Sequence, residues 1–277
     1  MKDIKNRSYP KGLCLALGIL LGTLGMSVFA SWLAPYDPNF IDMTVKLQPP
    51  SGAHWLGTDA LGRDMLSRII YGGRVSIVLA MLATLLSMGL GLLIGVMAGY
   101  FGGALDGLVN MLINIFQGLP GTCFMVAIVG ILGPGAPSLV IALVITSWAG
   151  FARIVRAETL KVKEEPFIEG LKCFGAGPMR LIFWHIIPNI LPNIAVIFTT
   201  RLGRCILSIS ALSYLGLGIT PPTPDWSVMI SDARLHYRSA PHLLMMPGFF
   251  IFLVLFAINL LGDYLREQVD VRSMEVQ

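Results

Sequence analysis

The chain has 277 residues, of which 55% are hydrophobic and only 13% are charged, and its mean hydropathy is +0.74. A soluble domain of this length does not need so many apolar residues to fill its core, so the composition predicts an integral membrane protein. The net charge of +4 is small and forms no basic stripe with interleaved aromatic residues, which argues against nucleic-acid binding.

The N-terminal region predicts a short tail followed by a first membrane span. Residues 1–11 hold four basic residues, and the apolar run over 12–33 can cross a hydrocarbon core of about 30 Å at about 1.5 Å per residue. A cleaved signal peptide is the alternative, because Val28-Phe-Ala30 has small residues where a signal peptidase requires them. We expect an uncleaved span, since further apolar runs follow.

Residues 34–74 predict an external loop and an interfacial helix. Prolines interrupt the polar stretch from Pro35 to Gly52, which therefore cannot remain helical in lipid. Over residues 65–71 the apolar residues again share one helix face. This pattern predicts an amphipathic helix lying at the outer face of the membrane.

Residues 75–263 predict a core domain of five further spans, and residues 264–277 predict a charged tail. The expected spans are 75–99, 105–132, a fourth that ends near 152, 193–217 and 243–261. Gly91, Gly95 and Gly99 form a flat groove on the second span, where a helix of the same chain or of another subunit can approach closely. The sequence Gln117-Gly-Leu-Pro-Gly121 predicts a kink in the third span.

A charged segment, residues 157–190, separates the fourth and fifth spans. It cannot cross the membrane, because each charge buried at the bilayer centre costs about 3 kcal/mol. Pro166 and Pro178 are suited to the first turn of a helix, and Gly175 and Gly177 can end one. We therefore predict two short helices joined by a glycine corner. Its closely spaced charges are Lys161, Lys163, Glu164, Glu165, Glu169, Lys172 and Arg180.

The distribution of lysine and arginine predicts the orientation in the membrane. Four basic residues lie in the N-terminal tail and six lie between Arg153 and Arg180, against four between Lys46 and Arg74 and two in the last loop. Positively charged loops stay in the cytoplasm. Both termini and the charged segment are therefore expected to be cytoplasmic.

The charged segment resembles the coupling loop of binding-protein-dependent ABC permeases. In that signature Glu-Ala-Ala is followed after three residues by Gly, and after nine more by Ile-x-Leu-Pro; Glu169, Gly175 and Pro188 match it in register. The chain departs from the signature at four positions. They are Gly170 and Leu171 in place of the alanines, and His185 and Ile187 in place of Ile and Leu.

Three more stretches narrow the resemblance to the second permease subunit of peptide/nickel importers. They begin at Trp55-Leu-Gly-Thr-Asp, Leu212-Ser-Tyr-Leu-Gly and Pro222-Thr-Pro-Asp-Trp, and together the motifs cover nearly the whole chain. The resemblance implies an all-α polytopic protein of about six transmembrane helices that forms half of a translocation pathway.

The resemblance also implies an assembly in the bacterial cytoplasmic (inner) membrane. Its expected partners are a second homologous permease subunit, two cytoplasmic ABC ATPase subunits and an external solute-binding protein. No cofactor is expected on this chain, since ATP and magnesium would bind the ATPase subunits, and no phosphate-binding P-loop sequence occurs here. ATPase coupling would involve Glu169, Gly170, Leu171, Gly175 and Pro188.

Polar residues within spans are candidates for lining the pathway. Asn110, Asn114 and Gln117 share one face of the third span, with helix-to-helix hydrogen bonding as the alternative. A second stripe lies on the fifth span, with snorkelling to the membrane surface as the alternative for its arginines. That stripe comprises Arg201, Arg204 and Ser208.

The histidines and cysteines give weak indications. His54, His236 and His242 lie in or beside predicted external loops and could bind a metal, although loop histidines are usually solvated. The four cysteines include no Cys-x-x-Cys pair, so neither a zinc site nor a disulfide framework is predicted.

The cargo is left open by the sequence. A short N-terminal tail and the residues 228–234 favour nickel or a metal chelate, with dipeptide or oligopeptide import as the alternative. A stand-alone secondary carrier is the competing class, and it would need internal repeats and an acidic residue in mid-span, neither of which we find. A receptor or structural membrane protein is a third class, which leaves the charged segment unexplained.

Overall fold

The computed structural model describes residues 11–275, with side-chain surroundings described through residue 269. Residues 1–10, most of the predicted N-terminal tail, lie outside the described part. Eleven α-helices occur in the described part. They are α1 (Lys11–Val28), α2 (Ala30–Leu33), α3 (Met65–Phe101), α4 (Gly103–Gly118), α5 (Gly121–Leu132), α6 (Ala136–Lys163), α7 (Pro166–Cys173), α8 (Pro178–Leu181), α9 (Ile187–Tyr214), α10 (Trp226–Ala233) and α11 (His242–Glu275).

Five helical units are long and apolar enough to cross a membrane: α1, α3, α6, the run from α8 through α9, and α11. The pair α4 and α5 supplies a sixth if the two helices count as one span. These helices meet at 88°, so the expected kink is a break at Leu119 and Pro120. Proline lacks the backbone N–H that would carry the helix across this point.

The chain passes back and forth between two ends of the bundle. One end, here called the loop side, contains residues 34–64 and 215–241. The other end, here called the coupling side, contains residues 164–177. α3 and α6 both run from the loop side to the coupling side, and α9 returns.

The glycine groove of α3 packs against α6 of the same chain, which confirms the intramolecular alternative. A Cβ placed on Gly95 would lie 2.7 Å from the carbonyl oxygen of Ala152, and one on Gly99 would lie 2.9 Å from that of Arg156. Gly91 meets the backbone of α6 in the same way. Glycine therefore lets the two helix backbones approach more closely than any side chain would permit.

The predicted interfacial helix over residues 65–71 is instead the first two turns of α3. Asp64 caps this helix, since its carboxylate accepts a hydrogen bond of 2.8 Å from the backbone N–H of Ser67. Met65, Ile69 and Ile70 are buried, so these turns lie inside the protein rather than on a membrane surface. The apolar face predicted at an interface is a core face.

Three other predicted boundaries differ from the structure because the helices continue beyond their expected ends. α6 extends to Lys163, so Arg153 and Arg156 belong to it and the charged segment is shorter than 157–190. α8 is not a separate short helix, because the π-helical turn Ile182–Ile186 joins it to α9. The predicted tail from 264 continues α11 as far as Glu275.

Buried ion pairs hold the loop side together. Arg63 Nε lies 2.6 Å from Asp59 Oδ2, Arg68 Nε lies 3.6 Å from the same oxygen, and Arg63 Nη2 reaches Asp232 Oδ2 at 3.7 Å. Asp59, Arg63 and Arg68 are each less than 10% exposed. The stretch that begins at Trp55 thus supplies the structural centre of the loop side.

α10 is tied to α3 through Asp225 and Trp226. The Asp225 carboxylate caps α10 and accepts a hydrogen bond of 2.6 Å from Ser76 Oγ, while Trp226 Nε1 donates to the carbonyl of Ile69 at 2.8 Å. Burial raises the pKa of Asp225, although hydrogen bonds from Ser76 and from the N–H groups of residues 227 and 228 act in the opposite direction.

Candidate functional site

The segment between α6 and α9 is anchored on the bundle by an apolar cluster. Ile168 of α7 is fully buried together with Leu181, Ile182 and Ile186. Val96 of α3 and Val155 of α6 belong to the same cluster. The position of α7 is therefore fixed relative to three long helices, so that α7 can move only together with them.

A glycine corner ends α7 as predicted. Gly175 has φ +82°, its N–H donates to the carbonyl of Lys172 at 2.9 Å, and the N–H of Ala176 donates to Leu171 at 3.0 Å. This pair of bonds is the Schellman motif, which requires a residue with positive φ. Pro166 and Pro178 occupy the first turns of α7 and α8.

The outward surface of the segment is apolar and exposed. Phe174 is 90% exposed and Trp184 is 76% exposed, with Phe167 and Met179 also exposed. Glu169 points outward as well, and no described side chain pairs with it. A cluster of large apolar side chains around a carboxylate is characteristic of a protein contact surface.

The amide face of α4 contacts α6 at the coupling side. Asn114 Oδ1 accepts from Arg153 Nη2 at 2.8 Å, and Asp106 Oδ2 accepts from Arg156 Nη2 at 2.6 Å. Asn110, with its amide oxygen turned toward α6, accepts from Arg156 at 3.0 Å. The structure favours helix-to-helix hydrogen bonding for the two asparagines, while Gln117 is exposed.

The arginine stripe of α9 borders a recess of 150 Å³ between α3, α6 and α9. The guanidinium of Arg201 lies 5.5 Å from the ring centroid of Phe151. A Cβ at Gly150 would meet it at 2.5 Å. Arg201, Arg204 and Ser208 are thus brought to one site. The other residues of the recess are Thr84, Ser87, Leu143, Ser147, Phe151 and Cys205.

The three candidate histidines are not gathered into a metal site. His54 Nδ1 lies 2.9 Å from Asp64 Oδ1, and its ring lies 4.9 Å from that of Tyr36. His236 lies in the turn after α10, and His242 begins α11. Within residues 11–269 there is no group of three or more His, Cys, Asp or Glu side chains that could hold a metal ion.

Several residues of these sites were not singled out from the sequence. Asp106 precedes Asn110 and Asn114 at four-residue spacing, so its place on the amide face was open to prediction. Gly150 carries no such signal, because only the folded structure brings it against Arg201. The hydroxyls of Thr84, Ser87 and Ser147 come from two other helices, and spacing within one helix cannot relate them.

The long apolar helices define a membrane protein with several spans. The rigid apolar segment exposed at one end of the bundle can contact a partner protein there. Residues 91–274 match the model of the binding-protein-dependent transport system inner membrane component. The chain belongs to this family of ABC transporter permeases.

The comparisons with individual proteins agree with the family. The glutathione transport system permease protein GsiD of Escherichia coli O1:K1 / APEC is 40% identical over 246 residues, which cover 88% of this chain and 81% of the relative. GsiD of Shigella boydii serotype 4 (strain Sb227) aligns with the same identity and coverage. In both cases the alignment leaves only a small part of this chain unmatched.

Solved structures show the same fold. A chain of the MetNI methionine ABC transporter, in an inward-facing conformation, superposes with a TM-score of 0.58 over 73% of this chain and 97% of that one, at 18% identity. By its family match and its relatives, the protein is a multi-pass inner-membrane permease subunit and not an enzyme. In this family the ATPase activity resides in partner subunits, and a binding protein is a further partner.

Proposed function

We propose that the chain is one of two homologous permease subunits in a heterodimeric ABC importer of short peptides. The exposed apolar surface of the segment between α6 and α9 is the observation that carries the proposal. Ile168 fixes α7 to the bundle while Phe174 projects into solvent. A cytoplasmic ATPase subunit that covers Phe174 and contacts Glu169 would transmit its motion to α6 and α9.

The orientation follows from the same assignment. A segment that contacts ATPase subunits must lie in the cytoplasm, and the six basic residues between Arg153 and Arg180 favour that side. The loop side would then face the external binding protein. ATP and magnesium would bind the ATPase subunits and not this chain.

Two observations favour peptide cargo over nickel, which the sequence alone had put first. The relatives quoted above are named for glutathione, a tripeptide with two carboxylates. The arginine recess would repel a bare Ni²⁺ ion and attract a carboxylate. Glutathione and related short peptides are therefore the first substrates to assay.

A matched pair of glycines tests the role of the segment. Both Gly175 and Gly177 are exposed, and a Cβ at either position would meet no atom within 4 Å. Gly175 has φ +82° whereas Gly177 has φ −71°. We expect Gly175→Ala to lower uptake of labelled glutathione by reconstituted transporter several-fold, because a left-handed conformation costs a non-glycine residue about 1–2 kcal/mol.

The control variant Gly177→Ala should transport normally. A second pair, Glu169→Lys with Glu164→Lys as its control, tests the charge, since both carboxylates are exposed. We expect only Glu169→Lys to abolish uptake. Copurification with the ATPase subunits would report whether assembly or coupling is lost. Full uptake by Gly175→Ala and Glu169→Lys would contradict the proposed coupling role.

A further inference from the structure

The recess beside Arg201 is polar although it lies near the middle of the long helices, with Arg201 half-buried and Arg204 exposed. Gly150 and Arg201 are each about 20 Å along their helices from the loop-side end, near the middle of a hydrocarbon core of about 30 Å. Hydroxyl groups from three helices line the recess. These hydroxyls belong to Thr84, Ser87, Ser147 and Ser208.

The two arginines of the recess lack an acidic partner. Among the residues whose side chains are described, none accepts a hydrogen bond from Arg201 or Arg204, and none forms an ion pair with them. Arg153 and Arg156, on neighbouring α6, each have an oxygen partner within 3 Å. The Arg201 guanidinium instead contacts the Phe151 ring and the backbone at Gly150.

Unpaired cations at this depth are costly. A guanidinium carries five N–H donors, and leaving a charge without partners in the membrane costs several kcal/mol. Arg201 and Arg204 are one turn apart on α9, so they also repel each other. An anion between them would supply the missing acceptors and remove the repulsion.

We propose that this recess binds a carboxylate group of the cargo during its passage, an inference that rests on the proposed import function. A carboxylate matches the planar guanidinium fork and can accept further hydrogen bonds from the hydroxyls of Ser147 and Ser208, whereas those of Thr84 and Ser87 already donate to backbone carbonyls of α3. The volume of 150 Å³ holds a carboxylate and its neighbouring atoms, but not a whole tripeptide. The rest of the cargo would remain in the adjoining pathway.

Gly150 provides a variant that moves the charge without removing it. A Cβ at this position would lie 2.5 Å from Arg201 Nη2 and 2.6 Å from Nη1, and the three nearest atoms all belong to that flexible guanidinium. Gly150→Ala should therefore leave the helix packing intact and displace the guanidinium. Gly89→Ala is the matched control, because a Cβ there would meet no atom within 4 Å.

The transport test uses the complete complex in proteoliposomes: this chain, its partner permease, two ATPase subunits and the binding protein. Uptake of labelled glutathione and of labelled nickel citrate distinguishes a peptide carboxylate from the carboxylates of a metal chelate. We expect Arg201→Leu and Gly150→Ala to lower uptake at least tenfold for the cargo that uses the site. Arg201→Lys should retain part of the uptake, and Gly89→Ala all of it.

The ATPase rate stimulated by the loaded binding protein separates the two proposals. This ATPase rate should stay within twofold of wild type in Arg201→Leu and Gly150→Ala, because the segment between α6 and α9 is unchanged. Wild-type uptake of nickel citrate but not of glutathione would contradict the peptide cargo, and the carboxylate site would then be tested on nickel citrate. Wild-type uptake that Arg201→Leu leaves unchanged would overturn only the carboxylate site.

A chemical test measures the charge of the recess without relying on transport. In a variant whose only cysteine is Ser208→Cys, the ratio of the reaction rate with an anionic sulfonate reagent to that with a cationic trimethylammonium reagent should be several-fold higher than the same ratio measured with a free thiol. Adding Arg201→Leu should abolish this preference. A ratio in the parent variant no higher than that of the free thiol would show that the recess does not attract anions and would overturn the proposal.

Discussion

Replacing Gly95 by alanine tests the close packing of α3 on α6. The added Cβ would lie 2.7 Å from the carbonyl oxygen of Ala152 and 2.8 Å from Cβ of Val155, whereas ordinary contacts begin at 3.4 Å. The helices must therefore separate by about 0.7 Å, because a backbone oxygen and a β-branched carbon cannot rotate away. Overpacking of this kind costs about 1–3 kcal/mol, and the better helix propensity of alanine returns at most about 1 kcal/mol.

We expect Gly95→Ala to lower the free energy of unfolding by about 1–2 kcal/mol. The measurement is the thermal or denaturant midpoint of the purified protein in one detergent. Gly89→Ala, on the same helix with no atom within 4 Å of the new Cβ, should leave the midpoint unchanged or raise it. A midpoint for Gly95→Ala as high as that of Gly89→Ala would refute the close-packing argument.

Four further predictions concern capping, the titration of the capping residue, ion pairing and orientation. Asp225→Asn should unfold near the wild-type midpoint, because the amide keeps the cap, while Asp225→Ala should lose about 0.5–2 kcal/mol; equal midpoints would contradict the capping role. Burial raises the pKa of Asp225 in the folded state, so the stability that this residue contributes falls as pH rises from its unfolded pKa through its folded pKa. An unfolding midpoint that instead rises over this pH range, relative to that of Asp225→Asn, would contradict the predicted direction. Alanine at Asp106 and at Arg156 should each destabilise, with a coupling energy of about 0.5–3 kcal/mol in the double-mutant cycle, and additive losses would argue against the pair. A single cysteine at Ser51 should react with an impermeant reagent on intact cells, whereas a single native Cys173 should react only after lysis; the reverse pattern would invert the proposed orientation.

The sequence predicted which stretches are apolar helices, but not where the helices end. Pro192 lies inside α9, which begins at Ile187, although the expected span began at residue 193. The helix continues because packing of Ile190 and Ile194 into the coupling-side cluster outweighs the lost hydrogen bond. Conversely, the angle between α4 and α5 at Leu119 and Pro120 depends on the helices against which α5 packs. A local sequence pattern does not predict those contacts.

The candidate sites divide in the same way. Glu169, Gly175 and Pro188 could be proposed from sequence because the signature lies within one continuous stretch, and the positive φ of Gly175 follows from local chain geometry. For the recess at Arg201, the sequence predicted only the residues on α9, since its other walls come from helices that are distant in sequence. Residues such as Gly150 acquire a role only through tertiary contact.

Because α8, the π-helical turn and α9 are continuous, Arg201 and the segment proposed above to contact the ATPase lie at the two ends of one helical lever. The rod is about 35 Å long from Pro178 to Arg201, at about 1.5 Å per residue. A tilt of about 10°, modest among rigid-body transitions, would shift one end by about 6 Å relative to the other. The π-helical turn Ile182–Ile186, where the α-helical hydrogen-bond register is interrupted, is the natural hinge of this lever. Loosening that turn further should therefore uncouple the movement of the arginines from the movement of the segment without altering either end.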